Sequence, residues 1–146
     1  MLATVHQVYS QLGGVKGFGR IVRSESEMET AVREGLSTSV LRQIQSGWGL
    51  TVMEISGGLS IPRSTLMHMM KEPKRMTAAD SDRVYRLVSI LALAEQYIGD
   101  RLRALAWLRQ PNRMLGSATP LSALETEIGR QRVLQVLGQI AYGGVA

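Results

Sequence analysis

Leu50-Thr51-Val52-Met53-Glu54-Ile55-Ser56-Gly57-Gly58-Leu59-Ser60-Ile61-Pro62-Arg63-Ser64-Thr65-Leu66-Met67-His68-Met69-Met70 is the stretch that decides the fold. It reads as two short helices joined by a tight turn. Thr51-x-x-Glu54 forms a capping box that opens the first helix. Val52, Ile55 and Leu59 then point inward, and Ile61, Leu66 and Met69 supply the matching face of the second. Pro62 suits the first turn there, because its missing N–H has no partner at that position in any case. Lys71, Lys74 and Arg75 follow. This is the pattern of a helix-turn-helix: one helix braces, the next enters the major groove, and nearby cations hold phosphates.

The outward face of the second helix carries the candidate contacts. With Leu66 and Met69 buried, Arg63, Ser64, Met67 and His68 fall more outward. Arg63 can read guanine O6 and N7 or hold a phosphate, and Ser64 or Thr65 can bond to backbone oxygens. Lys71, Lys74 and Arg75 add sequence-independent, salt-sensitive affinity. The DNA-contacting set is therefore Arg63, Ser64, Thr65, His68, Lys71, Lys74 and Arg75. A solvated basic face explains the same residues without DNA. One irregularity stands against a strong reader. Ser60 occupies the turn position that commonly takes glycine, while Gly57 and Gly58 weaken the bracing helix. Read alone, that describes a degenerate reader kept mostly as scaffold.

Working outward, the remaining chain is helical. Ser24 with Glu27, or Ser26 with Glu29, caps a helix carrying Met28, Ala31 and Val32, which Gly35 ends. Ser37 can cap the next, whose inner face is Val40, Leu41 and Ile44. Trp48 follows between two glycines and reads better as a core plug than as a base-stacking platform. Thr77-x-x-Asp80 opens the longest helix, about Ala78 to Ile98, with Val84, Leu87, Val88, Leu91, Ala94 and Ile98 at helical spacing. Gly99 stops it, and Asp100 caps a short helix that Pro111-Asn112 breaks. Thr119 and Pro120 open another, which Gly129 is expected to interrupt before a last helix through Val133, Val136, Leu137 and Ile140. Met1 to Arg23 reads as a flexible lead-in broken by Gly13, Gly14, Gly17 and Gly19, with Gly17 to Val22 the only weak strand candidate. Gly14-Val15-Lys16-Gly17-Phe18-Gly19 lacks both a GKS/T ending and a full GxGxxG, so it is not a phosphate loop. The expected fold is all-α, divided as a lead-in over 1–23, a helix-turn-helix domain over 24–76 and a C-terminal domain over 77–146.

Composition narrows the function. The chain has 146 residues, 45% hydrophobic and 20% charged, which is globular rather than disordered. Seventeen Lys and Arg against 12 acidic residues give a formal +5, mildly favouring a polyanionic partner. There is no cysteine, so disulfides and thiolate zinc sites are excluded. No apolar run approaches the length of a bilayer span, no signal peptide is evident, and a cytoplasmic location is expected. His6 and His68 are the only histidines and lie far apart. Glu25, Glu27 and Glu29 are explained by a helix N-terminus. No catalytic constellation, metal site or cofactor is expected, so the chain reads as a binding protein.

Beyond these motifs, the sequence resembles the Xre/MbcA/ParS antitoxins. The resemblance runs from Leu12-Gly13-Gly14, through Arg33-Glu34-Gly35-Leu36 and Ile61-Pro62-Arg63-Ser64-Thr65-Leu66, to Asp80-Ser81-Asp82-Arg83. It is sharper in the second half. There the matching residues are Ala106-Trp107-Leu108, Pro111-Asn112 and Leu115-Gly116, then Thr119-Pro120-Leu121, Leu124, Thr126-Glu127 and Gly129. It closes on Val133 and Leu137-Gly138-Gln139-Ile140-Ala141-Tyr142-Gly143. Met1 to Gln11 lie outside it. The resemblance implies an Xre-like helix-turn-helix domain packed on a C-terminal toxin-binding domain. It further implies repression of its own operon and occlusion of the NAD site of a RES-domain toxin that degrades NAD or ADP-ribosylates. The toxin-binding residues it implies are Trp107, Asn112, Arg113, Leu115, Tyr142, Gly143 and Gly144, with the one that enters the toxin left open. The alternative is a free-standing repressor with a dimerising C-terminal half. Burial of Trp107 or Leu108, and a frayed tail after Tyr142, stand beside the partner-binding reading. A homodimer is expected in either case, since operators usually present two half-sites.

Overall fold

Thr77 opens the longest helix, on which several of the others pack. The structure is a computed structural model and describes residues 4–143. Its helices are α1 (Val5–Gln11), α2 (Gly14–Phe18), α3 (Glu25–Glu34), α4 (Ser39–Trp48), α5 (Val52–Leu59) and α6 (Arg63–Met69). They continue with α7 (Ala78–Ile98), α8 (Arg101–Leu108), a 3-10 turn (Arg113–Leu115), α9 (Pro120–Ala123) and α10 (Glu127–Ala141). No strand forms among the described residues; only an isolated bridge joins Ser37 to Arg75.

The Thr77 hydroxyl accepts the Asp80 N–H and starts α7, which runs 21 residues to Gly99, about 31 Å. The sequence pattern placed one apolar stripe on it. The structure buries Ile90, Leu91, Ala92, Leu93 and Ala94 in succession, so this part of the helix is covered all round. The cover is α1, α3 and α5 from the first half of the chain and α8 and α10 from the second. Expected as the start of the C-terminal domain, α7 is core to both halves.

The N-terminal stretch is not a lead-in. Thr4 and Gln7 form a reciprocal capping box on α1. Val8 and Leu12, one turn apart, are fully buried. Gly13 and Gly14 both have positive φ, and here that freedom makes a sharp helix-to-helix reversal rather than a loose chain. A Cβ on Gly17 would lie 1.8 Å from the Leu12 carbonyl oxygen. The strand candidate at Gly17 to Val22 is the end of α2 and an irregular segment. Trp48 is buried as expected of a core plug; its Nε1 donates to Gln11 Oε1 at 2.7 Å. Arg101, paired with Glu95, lies 4.9 Å above the Trp48 ring.

The segment after α6 is latched to the segment before α4. Thr38 N–H donates to the Lys74 carbonyl at 2.7 Å, and Lys74 N–H to Thr38 Oγ1 at 2.9 Å. Met76 N–H donates to the Leu36 carbonyl at 2.8 Å, and Leu36 N–H to the buried Ser81 hydroxyl at 2.8 Å. These bonds pair backbone groups that the latch draws away from solvent. The latch fixes where Lys74 and Arg75 emerge. Of the two candidate caps for α3, Ser24 is the one used, accepting from Glu27 N–H. Ser37 accepts from Ser39 N–H, while Thr38 holds the N-cap position of α4 without a side-chain bond there.

Gly129 does not separate two helices. It sits in the first turn of α10, where its N–H donates to the Thr126 hydroxyl at 3.0 Å. A Cβ there would lie 1.9 Å from the Ala123 carbonyl oxygen. The glycine is needed for the close crossing of α9 and α10, which sequence spacing alone does not display.

Two substitutions test this packing by thermal or denaturant unfolding. Leu12→Ala should cost about 2–5 kcal/mol as a core cavity; a dispensable lead-in would show no change. Gly129→Ala should cost roughly 2 kcal/mol or more through backbone overlap.

Candidate functional site

The helix-turn-helix is built on α5 and α6. Thr51 and Glu54 form the expected capping box on α5, with both bonds present at 2.9 and 3.1 Å. Ser60 ends α5 at φ +55°, a left-handed conformation costing a non-glycine residue about 1–2 kcal/mol. Its hydroxyl explains its presence: Oγ donates to the Glu125 carbonyl at 2.9 Å, across 65 positions of sequence. The Ser56 hydroxyl donates to the Ile61 carbonyl at 2.5 Å, and Ile61 N–H to the Ser56 carbonyl at 3.1 Å, closing the turn from inside.

The two glycines of α5 also have a tertiary reason. A Cβ on Gly57 would lie 3.1 Å from Glu125 Oε1, and one on Gly58 would lie 3.1 Å from Leu87 Cδ1. They let α5 approach α7 and the α9–α10 junction. The helix-turn-helix geometry is complete, and the irregularities that marked it as degenerate are its seat on the second half of the chain.

On α6, Leu66 and Met70 are buried while Arg63, Ser64, Thr65, Met67 and His68 are exposed. Pro62 stands at the N-cap, one residue before the helix. Arg42 closes the other end, donating from Nε and Nη2 to the Met70 carbonyl at 3.1 and 2.6 Å. Lys71, Lys74 and Arg75 are exposed on the latched segment. Lys74 pairs with Glu72 at 3.5 Å, and Arg75 Nη1 donates to the Glu34 carbonyl at 3.2 Å. All seven residues of the DNA-contacting set are solvent-accessible and lie on α6 or directly after it. Met67, which the set omits, shares their exposed face.

The C-terminal set divides differently. Asn112 is only 8% exposed. Its Oδ1 accepts the Met114 N–H at 2.9 Å, and its backbone bonds to Ala118, Leu115 and Ser117. It is the internal frame of the Pro111 loop. Leu115 is buried in the core. Trp107 is half-buried, and its Nε1 is the one buried side-chain donor without an acceptor among the described residues. Arg113, Tyr142 and Gly143 are exposed. Gly144 lies outside the described residues.

The spacing of exposed groups on α10 reveals a surface that the sequence reading passed over. Ile128, Arg132, Gln135, Gln139 and Tyr142 follow at i+4, i+3, i+4 and i+3, and all are exposed. Their stripe is about 21 Å long. Ile128 and Tyr142 at its ends are 74% and 83% exposed. Arg132 Nη2 donates to the Met114 carbonyl at 3.0 Å, which sets the exposed Arg113–Met114 turn beside the stripe. The signal was available: these residues fall off the inner face of Val133, Val136 and Leu137.

Between the two faces runs a charged clamp. Arg109 donates from Nε and Nη2 to both Glu54 oxygens at 2.9 and 2.8 Å, and from Nη2 to the Gly49 carbonyl at 3.1 Å. The Arg109 bond holds the Glu54 carboxyl below its usual range, against a smaller opposing effect of burial. Arg130, with Gln131 and Arg86 nearby, lowers Glu127 to about 2. Among the described residues no cluster of His, Asp or Glu is suited to hold a metal ion, and no helix is long and apolar enough to cross a membrane.

This architecture defines a two-part helical protein, a helix-turn-helix unit seated on a helical unit with its own exposed face. Family comparison gives both parts. Residues 27–89 match the antitoxin Xre-like helix-turn-helix domain, and residues 93–143 match the antitoxin Xre/MbcA/ParS C-terminal toxin-binding domain. The chain is 31% identical over 120 residues to the antitoxin Xre of Pseudomonas putida, covering 82% of this chain and 74% of that protein. It is 29% identical to the antitoxin Xre of Yersinia enterocolitica, over 77% of each chain. The corresponding protein of Photorhabdus laumondii is 29% identical, over 84% of each. The chain belongs to the Xre antitoxin family.

The clamp yields a pH prediction. A carboxyl whose folded pKa is depressed stabilises the fold above its ordinary pKa, and that contribution is lost as pH falls through the lowered value. Stability should therefore fall as pH drops below the ordinary glutamate value of 4.5 and on through the lowered value of Glu54. Glu54→Gln should cost about 1 kcal/mol at pH 7, a modest figure because Arg109 is partly solvated. It should also flatten the acid limb of a denaturation series, whereas a variant that keeps the full limb would remove Glu54 from it.

Proposed function

We propose that this chain is the antitoxin of a toxin–antitoxin pair, that it inhibits a RES-domain toxin by covering its NAD site, and that it represses its own operon. The observation that carries the reading is the exposed α10 stripe within the segment matched to the toxin-binding domain. Ile128, Met114 and Tyr142 leave apolar surface that the fold itself does not cover, as partner-binding patches do. Of the residues assigned to the toxin, Arg113, Tyr142 and Gly143 are disposed to reach it. Asn112 and Leu115 support them from beneath, and Trp107 sits at the edge of the core. The small residues after Tyr142 suit entry into a narrow cleft. The RES identity of the toxin and its use of NAD rest on the family resemblance. In this reading the chain acts by steric obstruction and not as an enzyme, and it works in the cytoplasm beside its operon.

DNA binding belongs to the same reading. The α6 face with Lys71, Lys74 and Arg75 provides readers and phosphate contacts, and two half-sites would call for a homodimer. The exposed apolar groups also fit the second reading, a free-standing repressor that dimerises through its C-terminal half.

Co-expression with the protein encoded beside this chain separates the readings. The neighbour alone should deplete cellular NAD and arrest growth, and this chain should restore both. Ile128→Asp with Tyr142→Ala should abolish rescue while leaving the melting temperature unchanged. A harmless neighbour, or one still toxic with this chain bound, overturns the antitoxin reading in favour of the repressor.

At the promoter, Arg63→Ala should cost about 1–3 kcal/mol at the cognate site if Arg63 reads a base. Lys74→Ala should weaken binding to all sequences and lower the salt slope by about 1. Titration of promoter DNA at several salt concentrations distinguishes the two effects.

A further inference from the structure

One group on the exposed face of α6 is accounted for neither by the core nor by phosphates. At about 100° per residue, Ser64 and His68 form the crest of α6 opposite Leu66, and Met67 stands on its flank. Met67 is 48% exposed. One helical turn before it is Arg63, and Lys71 follows just past the end of the helix; both are exposed. Met67 is the one exposed apolar side chain of α6, on a helix whose other exposed residues are Arg63, Ser64, Thr65 and His68, and a single apolar side chain on a polar helix is poorly matched to an apolar protein face, which would meet a contiguous patch. It matches the major groove, where the thymine C5-methyl is the apolar feature among hydrogen-bonding base edges, with phosphates along the rims.

We infer that Met67 is a specificity-determining residue that recognises a thymine methyl in the operator, alongside Arg63, Ser64 and His68. The inference rests on the reading of α6 as the DNA-recognition helix. The unbranched thioether has the reach and torsional freedom to settle on a methyl group, and the buried Leu66 and Arg42-capped C-terminus hold the helix that presents it. Because its side chain is largely outside the core, Met67 is free to serve this role at little structural cost.

The experiment compares promoter DNA from immediately upstream of the reading frame with the same duplex carrying deoxyuridine for thymine. The two pair alike and differ in the methyl. Wild-type protein should bind the deoxyuridine duplex about threefold to tenfold more weakly for each methyl contacted. Met67→Ala should bind thymine DNA more weakly by a similar factor and be indifferent to the replacement, and Met67→Leu should retain the discrimination. Thermal melting verifies that both variants fold. Equal binding of the two duplexes by wild type overturns the inference, as does undiminished discrimination by Met67→Ala. If wild type binds neither duplex at low salt, the DNA-binding reading itself fails and Met67 loses its role with it.

Discussion

The arrangement depends on how closely α5 can approach the rest of the molecule. Gly57 and Gly58 remove side chains that would press on Glu125 and Leu87, and Ser60 then reaches the Glu125 carbonyl. Each choice is locally unfavourable. A glycine inside a helix costs about 1 kcal/mol relative to alanine, and a left-handed serine costs about as much again. The offset comes from packing against α7 and from satisfying a backbone carbonyl that would otherwise lack this bond. The orientation of α6 is consequently set by residues beyond position 80 as well as by the turn itself.

The same approach explains why α7 cannot be assigned to one half. Its early turns lie within the segment matched to the helix-turn-helix domain and its later ones within the toxin-binding domain. Both family segments bury apolar surface against it. A helix buried on all sides over Ile90 to Ala94 is costly to expose, at about 25 cal/mol per Å² of apolar area. Separating the halves would uncover that surface, so they cohere without a linker.

What the sequence made legible follows the range of the interactions. The caps at Thr51, Thr77, Asp100 and Thr119 are local hydrogen bonds three residues long, and the helices begin where those residues stand. The period of Val84, Leu87, Val88 and Leu91 likewise carries its own evidence. Glycines were misread because their meaning was tertiary. Gly13 and Gly14 make a tight reversal, and Gly129 admits the Ala123 carbonyl, yet in sequence each resembles a break. Asn112 entered the toxin-binding set through the family resemblance; its burial follows from backbone bonds to Ser117 and Ala118, five and six residues on, which the sequence does not display. The outward groups of α6 were legible from periodicity once Leu66 was placed inside. Met67 was placed outward by the same period but left out of the contact set because it carries no hydrogen-bonding group, whereas Met114 and Ile128 were passed over altogether.

Arg109 adds a constraint between the two faces. It stands two residues before Pro111, beside the loop that carries Arg113 and Met114, and it grips Glu54 and the Gly49 carbonyl at the start of the bracing helix. A partner that leaves this loop as it is gains no differential contact with α5 through Arg109, and by that route has no effect on α6. A partner that draws Arg109 away together with the loop breaks a bidentate ion pair, and α5 then loses one of its ties to the second half. The Ser60 bond and the two glycine contacts are separate ties and remain. The coupling carried by Arg109 is therefore bounded by the worth of that pair, about 1 kcal/mol for partly exposed groups, or roughly fivefold in affinity. Anything larger has to travel through the other contacts, at the α9–α10 junction where Glu125 meets Ser60 or through α7, which packs against both α5 and α10.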